Sequence, residues 1–225
     1  MRRNLAALLL DMDGSLLDTE PLHCEAHRRF LEKKGFNVPF SAIVDNIGKS
    51  DRAFYRRIMA DHGISEDVES WLNEKIRILA GIYREGGVKP MPGAVALLDA
   101  AASAGIPAML VTSSQRILAE TALEMAGLAS RLPARICHDD VVNRKPNPDP
   151  YLLAATRLGV PAEHCLVVED SVYGVTAGVA AGARVIAMRG ATPEADVLAA
   201  GAERMVDSLT EILPLKHWAT VRKAS

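Results

Sequence analysis

Short unbroken apolar runs alternate with amphipathic stretches over most of this chain. Residues 5–10 (LAALLL) are uniformly apolar and stop at Asp11, which predicts a short interior strand with Gly14 turning the chain off its end. From residue 92 onward the alternation becomes regular. Residues 106–112 (IPAMLVT), 164–168 and 184–188 read as strands. Residues 93–104, 115–126, 150–158 and 173–181 read as helices, the second closing at Gly127 and the third at Gly159. A last edge strand is expected at 205–206 and a terminal helix at 208–213. Strand–helix alternation of this kind argues for a parallel sheet covered by helices on both faces.

Residues from about 17 to 88 break the rhythm. They read as wholly helical, with Phe30/Leu31, Phe54/Tyr55/Ile58/Met59 and Trp71/Leu72/Ile76/Leu79 at helical spacings. They also carry many cations, including Arg28, Arg29, Lys33, Lys34, Lys49, Arg52, Arg56 and Arg57. Such an excursion after the first strand reads as an inserted helical domain, with hinges near Asp18 and Lys89 and re-entry at Pro90-Met91-Pro92-Gly93. The expected fold is α/β: a Rossmann-like parallel-sheet core from residues 1–17 and 89–225, interrupted by a helical domain at 18–88. Tyr55 and Trp71 are expected in the core of that insertion.

Composition narrows the function classes. The chain has 225 residues, 49% of them hydrophobic, enough for a sizeable core and far from a disordered composition. A net charge of −2 supplies no global field for nucleic acid or anionic membrane. Cys24, Cys137 and Cys165 are widely spaced and show no metal-binding spacing; they are read as reduced thiols of a cytoplasmic protein. Met1-Arg2-Arg3 before an apolar run resembles the start of a signal peptide. That run ends at Asp11 with no small-residue cleavage site, so the strand reading is preferred. No segment has the uninterrupted apolar length needed to span a bilayer.

Four polar islands fall at the carboxyl ends of expected strands, where open α/β sheets bind ligands. Asp11 and Asp13 follow the first strand, and Thr112-Ser113-Ser114 the second. Lys145 stands in Arg144-Lys145-Pro146-Asn147-Pro148-Asp149, and Glu169-Asp170-Ser171 follows the strand that ends at Val168. Taken singly, each has a plainer explanation. The acidic pair could sit at a solvated turn, the serines could cap a helix, Lys145 could be a solvated loop lysine, and Glu169-Asp170 could be helix-capping acids. A calcium loop does not fit, because Gly14 comes at the fourth place where the sixth is needed. Taken together, the islands bring acids, hydroxyls and a cation to one crevice. Gly174, Gly178 and Gly182 form a small-residue ladder, read as close packing of a helix on the sheet. His62, His164 and His217 show no ligand spacing.

DMDGSLLDTEPLH (11–23), LVTSS (110–114), KPNPDPY (145–151) and VVEDSVYGVTAG (167–178) together resemble the haloacid dehalogenase-like hydrolase superfamily, in its branch with a helical cap inserted after the first motif. That branch resembles β-phosphoglucomutase, phosphoglycolate phosphatase and sugar-phosphate phosphatases. The resemblance implies that Asp11 is the nucleophile and Asp13 the general acid and base. It implies Mg²⁺ held by Asp11, the backbone carbonyl of Asp13, and Asp170, with Glu169 a further ligand or acting through water. Lys145, Thr112 and the amide of Ser113 are then expected to bind the phosphoryl group, with Ser114 a weaker candidate. In the cap, His23 and Lys75 are expected near the acid/base aspartate. The loop Asn46-Ile47-Gly48-Lys49-Ser50-Asp51-Arg52 is expected to contact substrate through Gly48 and Lys49. Mutase-like members carry an arginine just after the loop's serine, whereas here Asp51 follows Ser50 and the arginine comes one place later.

The expected activity is therefore Mg²⁺-dependent hydrolysis of a small phosphorylated metabolite, such as a sugar, polyol or glycolate phosphate, through an aspartyl phosphate. Asp13 favours phosphate esters over carbon–halogen bonds, since a departing halide needs no proton. A phosphosugar mutase is the alternative, and a non-enzymatic receiver-like phospho-acceptor a remote one. The partner is a small metabolite rather than nucleic acid or membrane, and the chain is expected to act as a monomer or weak dimer.

Overall fold

The apolar run that stops at Asp11 forms β1 (Ala7–Leu10), buried along its whole length in the computed structural model, which describes residues 5–47 and 50–218. After a turn through Gly14, β2 (Leu17–Asp18) leads into four helices: α1 (Glu20–Lys33), α2 (Phe40–Val44), α3 (Asp51–Asp61) and α4 (Val68–Gly86). The chain returns through β3 (Lys89–Pro90), which pairs antiparallel with β2. There follow α5 (Ala94–Ser103), β4 (Ala108–Val111), α6 (Arg116–Met125), β5 (Arg135–Ile136), α7 (Asp149–Leu158), β6 (Cys165–Glu169), α8 (Val172–Ala180), β7 (Arg184–Met188), α9 (Glu194–Ala199) and β8 (Met205–Val206). Two compact units result, Met1–Asp18 with Val88–Ser225, and Thr19–Gly87.

In the first unit six strands lie in the order β5-β4-β1-β6-β7-β8, every neighbouring pair parallel. The register sets Leu9 beside Met109 on one side and Val167 on the other. Side chains alternate between the faces of a strand. Leu9, Met109, Val111, Val167 and Val185 accordingly share one apolar cluster with Tyr151 and Ala154 of α7 and Val175 of α8. Their neighbours Leu8, Leu10, Leu110, Leu166 and Ile186 are equally buried on the opposite face. A sheet buried on both faces explains why these strands read as continuous apolar runs. From β1 the chain builds outward through β4 and β5, then crosses to build the other way through β6, β7 and β8. The order thus reverses at β1, the place where α/β sheets open a crevice at their carboxyl edge.

The glycines of α8 let it approach the sheet closely. A Cβ at Gly178 would stand 2.9 Å from Val185 Cγ2 and 3.2 Å from Val167 Cγ1. At Gly174 it would collide with the Glu169 carboxylate. Gly182 corrects the expected ladder: it lies beyond the helix at φ +84°, with nothing near its missing side chain, so it turns the chain rather than packs it. The terminal helix expected at 208–213 is a single 3₁₀ turn, Leu209–Ile212, followed by a second at Leu215–Trp218.

The helical unit has its own core, in which Phe30, Tyr55 and Trp71 meet at ring-centroid distances of 5.1–5.8 Å. Trp71 also donates its indole N–H to Glu66 at 2.7 Å, satisfying its polar edge. His27 is buried beside them. Its Nδ1 lies 2.7 Å from the Tyr55 hydroxyl and its Nε2 3.2 Å from Asp51 Oδ1. A carboxylate can only accept, so Nε2 carries the proton and Nδ1 accepts from tyrosine. Neutral His27 is thus satisfied at both nitrogens. Burial pushes its pKa below the ordinary 6.5, with the Asp51 hydrogen bond pulling the other way.

Trp71→Ala is expected to cost about 3–5 kcal/mol in urea unfolding, the range for emptying a large buried aromatic site; a loss below about 1 kcal/mol would remove Trp71 from the core. His27 binds its proton less readily folded than unfolded, so the unfolded chain takes up more protons on acidification and stability falls as pH drops below about 6.5. Urea midpoints from pH 7.5 to 5.5 should fall more steeply for the wild type than for His27→Gln, and parallel curves would refute the assignment.

Candidate active site

Each island at the sheet edge is positioned by a strand end. The Asp11 amide donates to Val168 O at 3.0 Å, extending β1 beside β6 by one step, and the Thr112 amide donates to Ile136 O at 2.9 Å, doing the same for β4 beside β5. Gly14, at φ +74°, reverses the chain after Asp13. A Cβ there would also collide with the Asp170 carboxylate, so the turn needs glycine both for conformation and for space. Glu169 ends β6, and the Ser171 hydroxyl caps α8 by accepting from the Gly174 amide at 3.1 Å.

Lys145 joins these ends. Its ammonium donates to Asp11 Oδ1 at 2.7 Å, to Glu169 Oε1 at 2.5 Å and to the Val111 carbonyl at 2.8 Å. Only 5% of its side chain is exposed. Burial works against its charge, but Asp11 and Glu169 outweigh that and hold its pKa well above the usual lysine range. Asp11 is pushed well above the ordinary carboxylate value, by burial first and by the Glu169 charge next, with Lys145 opposing both.

Glu169 is saturated with donors. Besides Lys145, its Oε1 accepts from the Tyr151 hydroxyl at 2.8 Å. Its Oε2 accepts from the Asp170 amide, the Ser171 amide and the Ser171 hydroxyl, at 3.1, 3.3 and 3.1 Å. Asp11, Glu169 and Asp170 each offer a carboxylate oxygen, and these lie within 4.8 Å of one another. Three buried acids against one lysine leave an excess of negative charge in a place where burial makes it costly. The donors are all hard oxygens, and the missing side chain of Gly14 lets the Asp170 carboxylate lie close against the first loop. That combination fits a small hard divalent cation such as Mg²⁺. Since both Glu169 oxygens already hold hydrogen bonds, Asp11 and Asp170 are the side chains best able to face it.

Asp13 is turned elsewhere. Its Oδ2 accepts from the Ser114 hydroxyl at 2.6 Å. The Ser114 amide in turn donates to Thr112 Oγ1 at 2.9 Å. Thr112 is buried and Ser113, next to it, is exposed.

The other expected site residues belong to the helical unit. His23 and Lys75 do meet there: Lys75 Nζ lies 3.1 Å from His23 Nδ1 and 3.0 Å from Asp51 Oδ2. The Tyr83 hydroxyl stands 3.2 Å from His23 Nε2. Lys75 is buried. Asp51 therefore receives Lys75 on one oxygen and His27 on the other. It is held well below the carboxylate range: burial opposes that, but Lys75 and His27 overcome it. Gly48 and Lys49 lie outside the described residues.

Several contributors escaped the sequence reading. Tyr151 braces Glu169 and sets its ring 4.9 Å from the Lys145 ammonium. Its place one turn into the helix after Lys145 is the signal that could have found it. Ser114, expected as a weaker phosphoryl-binding candidate, gives its hydroxyl to Asp13, and Asp51, noted only for displacing the loop arginine by one place, anchors a buried lysine.

The chain is similar to known proteins. Residues 5–182 match the family described as haloacid dehalogenase-like hydrolase. Hexitol phosphatase A of Escherichia coli (strain K12) is 35% identical over 181 residues, 80% of this chain and 81% of that protein. Fructose-1-phosphate phosphatase YqaB of the same organism is 31% identical over 191 residues, 84% of this chain and 99% of that protein. A haloacid dehalogenase family hydrolase from Deinococcus radiodurans R1, solved with bound phosphate and sodium, superposes with a TM-score of 0.76 at 26% identity, covering 97% of this chain and 99% of that one. With a parallel sheet whose order reverses at β1 and an acid–lysine cluster at its carboxyl edge, the chain belongs to the haloacid dehalogenase-like hydrolases and is a phosphatase enzyme.

Proposed function

We propose that this phosphatase hydrolyses a small phosphorylated metabolite, a sugar or polyol phosphate foremost and a glycolate phosphate next, with Mg²⁺ as its cofactor. The observation that carries the reading is Lys145 bonded to both Asp11 and Glu169, with Asp170 in the same cluster. The relatives named for hexitol and fructose-1-phosphate hydrolysis support the substrate class. The three cysteines are free thiols, which supports a reducing, cytoplasmic setting. No helix among the described residues is long and apolar enough to cross a membrane.

In the proposed reaction an Asp11 oxygen attacks phosphorus. The bond from phosphorus to the ester oxygen breaks, and the departing alkoxide takes a proton from Asp13. Asp13, now a carboxylate, removes a proton from water. The water oxygen then attacks the aspartyl phosphate, the Asp11–phosphorus bond breaks, and inorganic phosphate leaves. Lys145 holds Asp11 Oδ1 in place and offsets charge gathering between nucleophile and phosphoryl group. The Thr112 hydroxyl accepts from the Ser114 amide, which turns its own hydrogen away from that amide and toward a phosphoryl oxygen. The Ser113 amide is proposed as a second phosphoryl donor. Mg²⁺, held by Asp11, Asp170 and the Asp13 carbonyl, supplies positive charge against the phosphoryl oxygens when bound. Tyr151 and Ser171 keep Glu169 fixed, and Glu169 keeps Lys145 and the Asp170 loop fixed.

We propose that the helical unit acts as the substrate cap, with His23, Lys75, Gly48 and Lys49 as its contact residues. Lys75 is neutralised locally by Asp51, which makes it a weak anchor for a second phosphate. That favours hydrolysis of monophosphates over a mutase that must grip a bisphosphate.

Asp11→Asn should abolish both phosphate release and covalent labelling by ³²P-substrate; retained turnover would reject it as nucleophile. Asp13→Asn should lower kcat on alkyl phosphates roughly 100- to 10,000-fold, the usual worth of proton transfer. EDTA should stop phosphate release across a panel of sugar, polyol and glycolate phosphates, and added Mg²⁺ should restore it. Isomerisation of a sugar 1-phosphate without phosphate release would overturn the hydrolase reading.

A further inference from the structure

We propose that Ser114 is a positioning residue for the proton-transfer carboxyl of Asp13, and that its hydroxyl works on this aspartate rather than on phosphate. The inference rests on the reading of Asp13 as acid and base given above. Ser114 and Asp13 stand 101 residues apart in sequence, yet Ser114 Oγ donates to Asp13 Oδ2 at 2.6 Å. A bond this short to a charged acceptor is among the stronger kinds of hydrogen bond.

The serine is itself held from two directions. Its amide donates to Thr112 Oγ1 at 2.9 Å, and its carbonyl accepts from the His138 amide at 3.0 Å. With the backbone fixed on both sides of the side chain, the hydroxyl has a defined origin, and its bond sets the rotation of the Asp13 carboxyl plane. The same bond suits both halves of the reaction. Ser114 donates to Oδ2 when Asp13 is a carboxylate, and continues to do so when the proton of Asp13 sits on the other oxygen. One rotation of the carboxyl is thereby kept while its proton leaves for the alkoxide and is regained from water. Asp13 lies past the end of β1 and just before the turn at Gly14, so the strand itself does not fix that rotation. The linkage also ties two jobs together, because the amide that orients Thr112 belongs to the residue that orients Asp13.

The test exploits leaving groups. An alkoxide needs Asp13's proton to depart, whereas p-nitrophenolate departs without it. Ser114→Ala, checked for folding by circular dichroism, should lower kcat for an alkyl phosphate such as glycerol phosphate roughly 10- to 100-fold, the worth of one hydrogen bond to a charged group. KM should change by less than about threefold. With p-nitrophenyl phosphate the first step should be spared, and because water activation is slowed, a burst of about one nitrophenolate per enzyme should precede slow turnover. Ser114→Thr, which keeps the hydroxyl, should restore alkyl phosphate turnover to within about threefold of the wild type. Equal slowing of the first, enzyme-phosphorylating step with alkyl and aryl esters, or a raised KM at unchanged kcat, would overturn the proposal and return Ser114 to phosphoryl binding. Asp13→Asn run alongside separates the two readings. If it shows no leaving-group dependence, Asp13 is not the acid; if it does and Ser114→Ala does not, only the serine's role fails.

Discussion

The ammonium of Lys145 is what allows acids to be buried at the edge of this sheet. Asp11 follows β1 and Glu169 ends the adjacent β6, and neither is exposed enough for water to offset its charge. Taking one partner from a buried ion pair typically costs about 3–5 kcal/mol, because the remaining charge is left without compensation. Here a single cation serves two carboxylates and a backbone carbonyl from three strands: β1, β4 and β6. The strand order brings those three side by side, with β1 in the middle. Fold and charge balance therefore depend on each other.

Fixation spreads outward from that contact. Tyr151 and Ser171 hold Glu169, Glu169 holds Lys145 and the start of the loop carrying Asp170, and Gly174 lets α8 begin against the same carboxylate. Glu169 is the hub: all of its acceptor capacity goes to holding other residues. Division of labour among like residues is set here by neighbours rather than by residue type.

The legible parts of the sequence were those with a repeating physical signal. β1 and β4 are continuous apolar runs, and α6 and α7 carry stripes closed by glycine, so their type could be read directly. The two-residue strands β2, β3 and β5 have no period to detect, and β5 begins with an arginine. α9 buries one residue, Val197, too little for a stripe. Among site residues, acids at strand ends were visible because charge there has few cheap explanations. Tyr151 was invisible for the opposite reason: a tyrosine on an amphipathic helix already has a sufficient explanation in the core, and its hydroxyl adds a second use that only coordinates show. Ser114 and Asp51 depend on partners far away in sequence, and no local spacing encodes such partners.

Gly14 places a further constraint on the family of sequences that can adopt this site. The space a side chain would need at position 14 is taken by the carboxylate of Asp170, at the end of another strand. Any larger residue at 14 would have to arrive together with a shorter or displaced group at 170, and that group is one of the acids of the cluster. Neither position has a harmless first substitution, so the two are expected to vary jointly or not at all. The close approach of Asp170 to one glycine thus acts as a hereditary lock, binding the first loop of the chain to an acid encoded far downstream.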